Sequence, residues 1–96
     1  MDWKETLEII LEKKHAIRHI LKDVCHEVDG CVVIHDSPMK IEIHEREIIF
    51  LVDDEIAGIL SHDGIKILNA KAEKEIEYWC TALSSLGFKR YSIKRR

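Results

Sequence analysis

Ile48-Ile49-Phe50-Leu51-Val52, set between Glu47 and Asp53-Asp54, is the longest uninterrupted apolar run in the chain. Its β-branched and aromatic residues read as a strand covered on both faces. Outward from it, between Cys31 and Leu68, apolar residues recur with period two and turn signals come at short intervals. This pattern predicts an antiparallel meander of about five strands, at 31–36, 39–45, 46–52, 55–61 and 64–68. The turns fall at Ser37-Pro38, Glu45-Arg46, Asp53-Asp54 and Asp63-Gly64, the last an Asp-Gly pair of the kind favoured in tight hairpins.

Short loops of even length preserve side-chain parity from strand to strand. Val32, Ile34, Met39, Ile41, Ile43, Ile48, Phe50 and Val52 then share a dry face. Cys31, Val33, His35, Lys40, Glu42 and His44 share a wet one. Ile49 and Leu51 point to the wet side, and continued parity would add Ile56, Leu60, Ile65 and Ile67 to it. The later half of the sheet is therefore expected to be apolar on both faces. Either two helices lie on opposite sides, or one side meets another chain.

On the N-terminal side of the sheet, residues 2–28 read as one long helix. No Gly or Pro interrupts them, and Trp3, Leu7, Ile10, Ile17, Leu21, Val24 and Val28 keep helical spacing, with Lys14 breaking the series and Gly30 as the stop. Such a helix would be about 39 Å long at 1.5 Å per residue, against strands of about 20–23 Å. Its overhang would expose apolar side chains, and pairing with a second copy would bury them. Trp3, Leu7, Ile10 and Leu51 are the expected dimer contacts. On the C-terminal side, Asn69 is a candidate N-cap for a helix from Ala70 to about Leu86. Its apolar face holds Ala72, Ile76, Trp79, Cys80, Leu83 and Leu86, with Gly87 as the stop and a short final strand over Phe88 to Ile93. The fold class is α+β, in a single domain over 1–96 with a basic tail at 89–96.

The composition is 46% hydrophobic and 34% charged, that of a globular chain. No apolar stretch approaches the roughly 20 residues that span a bilayer, and the charged start Met1-Asp2-Trp3-Lys4-Glu5 has no secretory core. A cytoplasmic protein with no membrane partner is expected. Cys25, Cys31 and Cys80 are odd in number and lack CxxC spacing, so they read as small buried hydrophobes. Absence of Gln, a single Asn and fifteen Ile give a thermophile-like composition. The net charge of −3 conceals an asymmetry: five bases in 89–96 leave 10 basic against 18 acidic residues, or −8, over 1–88.

Candidate chemistry is sparse. His15 and His19 stand at i and i+4, yet the glutamate that follows the first His of a zinc-protease helix is missing and Lys14 and Arg18 oppose a cation, so they read as a solvated helix face. Cys31, His35, Glu42 and His44 project from the wet face with zinc-ligand chemistry, and are the candidate metal residues. Lys89, Arg90, Tyr91, Lys94, Arg95 and Arg96 mix cations with an aromatic and are the candidate nucleic-acid contacts. Cys25 and His26 are consecutive and form no helical dyad, the four glycines are scattered, and no cofactor motif is present. The residues favour a non-enzymatic interaction module, a homodimer that engages another protein. Nucleic-acid binding through the tail is the alternative, and metal binding the weaker third.

Overall fold

The computed structural model describes residues 2–88. It consists of α1 (Trp3–Glu12), α2 (Lys14–Ile20), β1 (Cys25–Val28), β2 (Cys31–Asp36), β3 (Met39–Ile43), β4 (Ile48–Val52), β5 (Glu55–Ser61), β6 (Gly64–Ile67), a 3-10 turn at Ala70–Ala72 and α3 (Glu73–Ser85). The six strands pair antiparallel in sequence order, β1 through β6. This is the expected α+β architecture of N-terminal helix, meander and C-terminal helix, with one strand more than the hydrophobic alternation indicated.

The extra strand comes from the segment expected to end the first helix. Residues 2–28 do not form one helix. Asp2 caps α1 by accepting from the backbone of Lys4 and Glu5, and the helix stops at Lys13, whose backbone leaves the helical region (φ −94°, ψ 9°). Lys13 Nζ reaches across to the carbonyl of Ser84 at the end of α3 (2.9 Å). The following α2 is short, and Cys25–Val28 pairs with β2 through a two-residue turn at Asp29-Gly30. Both turn residues have positive φ (51° and 80°), the geometry that the Asp-Gly pair favours. Gly30 is a hairpin residue and not a helix stop.

At ten residues, α1 extends about 15 Å and overhangs nothing. Leu7, Ile10 and Leu21 are buried within their own chain, Trp3 and Val24 are half-buried against the same core, and Val28 is exposed. Leu7 and Ile10 are therefore not dimer contacts.

All three helices lie on one side of the sheet. Their buried side chains, among them Leu7, Ile10, Ile17, Ile76, Trp79 and Leu83, form a single cluster with Val32, Ile34, Ile41, Ile43, Ile48, Phe50 and Leu60. The dry face is as the parity of β2 to β4 requires. Trp79 Nε1 donates to Asp36 Oδ2 (3.3 Å), fixing α3 to the end of β2. Phe88 is buried and rests near the Trp79 ring, with centroids 6.3 Å apart. Asn69 caps the 3-10 turn by accepting from Lys71 N (3.0 Å). α3 ends at Ser85, two residues before the expected stop at Gly87. Leu86 takes the left-handed conformation (φ 59°), and Gly87 N bonds back to Ala82 O (3.1 Å).

Parity changes in β5. Phe50 pairs with Gly58 but Leu51 pairs with Ile56, so Ala57 is an extra residue in the strand. Its carbonyl accepts from Leu68 N and Asn69 N (2.8 and 3.0 Å) instead of from the ladder. The bulge carries Leu60, Ile65 and Ile67 to the helix side, contrary to the uninterrupted alternation, and puts Ile59 beside Ile49 on the other. Gly58 sits where α3 approaches most closely: a Cβ there would lie 2.8 Å from Ile76 Cδ1 and 3.3 Å from Lys66 O.

Candidate functional site

Among the described residues the side of the sheet opposite the helices is open, and the register orders its side chains. His26, Val33, Glu42, Ile49, Ile59 and Lys66 form one row across all six strands. His35, Lys40, Leu51 and Ile56 form a second. The face thus divides in two. On β1 to β3 it is polar and titratable, and on β4 and β5 it is aliphatic.

The polar half holds an open depression of about 460 Å³ lined by His26, Cys31, His35, Glu42 and His44, with Val33 buried at its floor. All four residues expected as metal ligands meet here. They divide into two groups. In one, His44 Nε2 lies 3.0 Å from Glu42 Oε1 and 3.8 Å from Cys31 Sγ. In the other, His35 Nε2 and His26 Nδ1 share a hydrogen bond of 3.2 Å, their rings nearly parallel with centroids 4.9 Å apart. Lys40 Nζ approaches the second Glu42 oxygen (3.9 Å) and Asp54 (3.4 Å), so both oxygens of Glu42 face a donor. Among the described residues, no three His, Cys, Asp or Glu side chains are placed to hold a metal ion.

Cys31, His44 and Glu42 contain the residue types of a nucleophile, a base and an orienting acid, but their geometry does not make a relay. Both the thiol and the carboxylate approach the same ring nitrogen, Nε2. A relay needs the base to accept from the nucleophile on one nitrogen while the other donates to the acid. Burial pushes the Cys31 thiol up, the Glu42 charge adds to the rise, and Lys14 opposes it only in part. The thiolate form, which would attack, is thus disfavoured. Cys25 is likewise raised, by burial first, with Arg18 lowering and Glu27 raising it. All three cysteines are free thiols.

The helical spacing of residues 2–28 hides the place of His26 beside this cluster. The Asp29-Gly30 pair, flanked by Val28 and Cys31, is the signal that would have placed it on a strand facing Val33. His15 and His19 are exposed on α2, as expected of a solvated face. Leu51 is half-buried on the open side, the one expected dimer contact that faces it, whereas Trp3 packs against the helix-side core. The tail residues Lys89, Arg90, Tyr91, Lys94, Arg95 and Arg96, and most of the expected final strand, lie outside the described residues. No helix among the described residues is long and apolar enough to cross a membrane.

Fold and site together define a small two-layer α+β protein with helices on one face of a meander and a half-polar, half-aliphatic open face on the other. The chain belongs to the Archaeoglobi AF1636 family, whose family model matches residues 1–95. A relative from Archaeoglobus fulgidus, described as an uncharacterized protein, is 26% identical over 86 residues, covering 90% of this chain and 92% of its own. No solved structure matches the chain.

Proposed function

We propose that the protein is a non-enzymatic interaction module of the cytosol, a homodimer formed through the aliphatic half of its open sheet face. The observation that carries this reading is the placement of all three helices on one side of the sheet, so that no helix among the described residues covers the side holding Ile49, Leu51, Ile56 and Ile59. Ile56 is 46% exposed. Ile49 opposite Ile59 and Leu51 opposite Ile56 make two adjacent aliphatic cross-strand pairs with no charge between them. Such a patch needs only an equally apolar surface opposite it, and the same patch on a second copy supplies one under two-fold symmetry. The polar half on β1 to β3 then becomes the rim, open to a further macromolecular partner.

The size of the face sets the expected strength. Six strands about 4.8 Å apart, each about 17 Å long, outline roughly 500 Å² for the whole face, of which the aliphatic half is roughly 250 Å² per copy. The roughly 500 Å² of two such halves is below the roughly 1,000 Å² of a stable specific interface, so the dimer should be weak and dissociate on dilution. Cys31, His44 and Glu42 support the non-enzymatic part of the reading, because thiol and carboxylate compete for one nitrogen. Light scattering across a dilution series tests the proposal. The expected mass is twice the 11.2 kDa of the chain at high concentration, falling towards a single chain on dilution. A single-chain mass throughout would remove the proposal.

A further inference from the structure

Residues 13–22, Lys-Lys-His-Ala-Ile-Arg-His-Ile-Leu-Lys, contain four fixed cations, two histidines and no acid, in a chain with 18 acidic residues. The fold spends two of those cations on structure: Lys13 Nζ bonds to Ser84 O, and Lys14 Nζ to Gly30 O (3.3 Å). The others line a cleft. His15, Arg18 and His19 lie three and four residues apart on one side of α2, and Lys22 continues that stripe in the turn beyond it. Facing them from β1 are His26 and Glu27, with Cys25 at the back, around a space of about 530 Å³.

We propose that this α2–β1 cleft is a binding site for a phosphate group, carried by a small phosphorylated ligand. Arg18 already shows how an anion sits there: its Nε lies 3.4 Å from Glu27 Oε1. A guanidinium presents five donors in a planar fork, so a carboxylate at Nε leaves the terminal nitrogens for a second oxyanion. Among the described residues Lys22, His15 and His19 carry no ion pair, and all three line the same space. The −8 balance over residues 1–88 favours a small phosphate over a nucleic acid, because a long polyanion would run onto acidic surface beyond the cleft. The site meets the polar half of the open sheet face at His26, lies apart from the aliphatic half, and does not depend on dimerisation.

Calorimetric titration of the full chain with inorganic pyrophosphate at low salt tests the site, with inorganic phosphate and a single-stranded oligonucleotide as parallel arms. Pyrophosphate should bind with one site per chain. The Arg18→Ala/Lys22→Ala double variant should weaken that binding by at least about tenfold, the loss of two charge-assisted contacts. Glu27→Gln should strengthen it a few-fold, because the competing carboxylate is removed. Both sets of substitutions fall on exposed side chains, and an unchanged circular dichroism melt confirms folding. Absence of pyrophosphate binding, or affinity unchanged in the double variant, would overturn the proposal. An oligonucleotide that binds more tightly than pyrophosphate would overturn it in favour of a nucleic-acid surface.

Discussion

Phe50 and Leu51 are neighbours on β4 and live in different surroundings. Phe50 is fully buried beneath the helices, in a cross-strand row with Ile34, Ile41, Gly58 and Ile67. Leu51 is half-buried on the open side, between Lys40 and Ile56. One strand with five consecutive apolar residues thus serves two surfaces. The helix side holds most of the buried core, and the open side is only partly buried. The difference lies in coverage and not in residue type, since both sides of β4 are apolar.

That contrast makes graded demands on mutation. Phe50→Ala should cost about 3–5 kcal/mol, because it removes a large side chain from a core with helices packed above it. Urea denaturation measures this directly, and a loss below about 1 kcal/mol would mean the two sides are alike. Gly58→Val is the complementary insertion. The added carbons must displace the buried Ile76, which a Cβ alone would approach to 2.8 Å, so a cost of about 1–3 kcal/mol is expected in the same assay.

A third effect separates the faces by pH. Burial pushes the Cys80 thiol up to about 12 from the ordinary 9.0, with Glu77 adding to the rise. The folded state holds that proton more tightly than the unfolded state does. Its contribution to stability is therefore complete below pH 9 and is lost as the pH climbs from 9 towards 12. Roughly 1.4 kcal/mol should disappear per pH unit in that window. Stability measured against pH should flatten there in Cys80→Ala. An equal slope in the variant would place the alkaline transition elsewhere.

The two faces were not equally legible in the sequence. The alternation of β2 to β4 identified the dry face residue by residue, because one-sided burial leaves period two in the chain. The strand order was legible for the same reason. β1 was not, since Val24 and Val28 fit a helical stripe as well as a strand and outweighed the Asp29-Gly30 turn signal. His26 was lost with it, and so was the partner of His35. The bulge at Ala57 has a different cause. In Glu55-Ile56-Ala57-Gly58-Ile59-Leu60 the isolated Gly58 is the signal for a bulge or a close backbone approach, but it does not say which residue is extra. The contacts that accompany the bulge, Ile76 of α3 against Gly58 and Leu68 and Asn69 bonding to Ala57 O, come from elsewhere in the chain. Local pattern does not encode a contact made by a helix that starts many residues later. The Cys31, His35, Glu42 and His44 cluster was legible as a neighbourhood, whereas its division into two hydrogen-bonded groups required atomic positions.

The most direct measurement is light scattering on Leu51→Asp beside the unaltered protein, with circular dichroism to follow folding. If the aliphatic half of the open face joins two copies, the variant should keep its helix and strand signal and scatter as a single chain at concentrations where the unaltered protein is a dimer. Leu51→Asp that remains a dimer, or an unaltered protein that is monomeric at every concentration, would contradict that role for the open face.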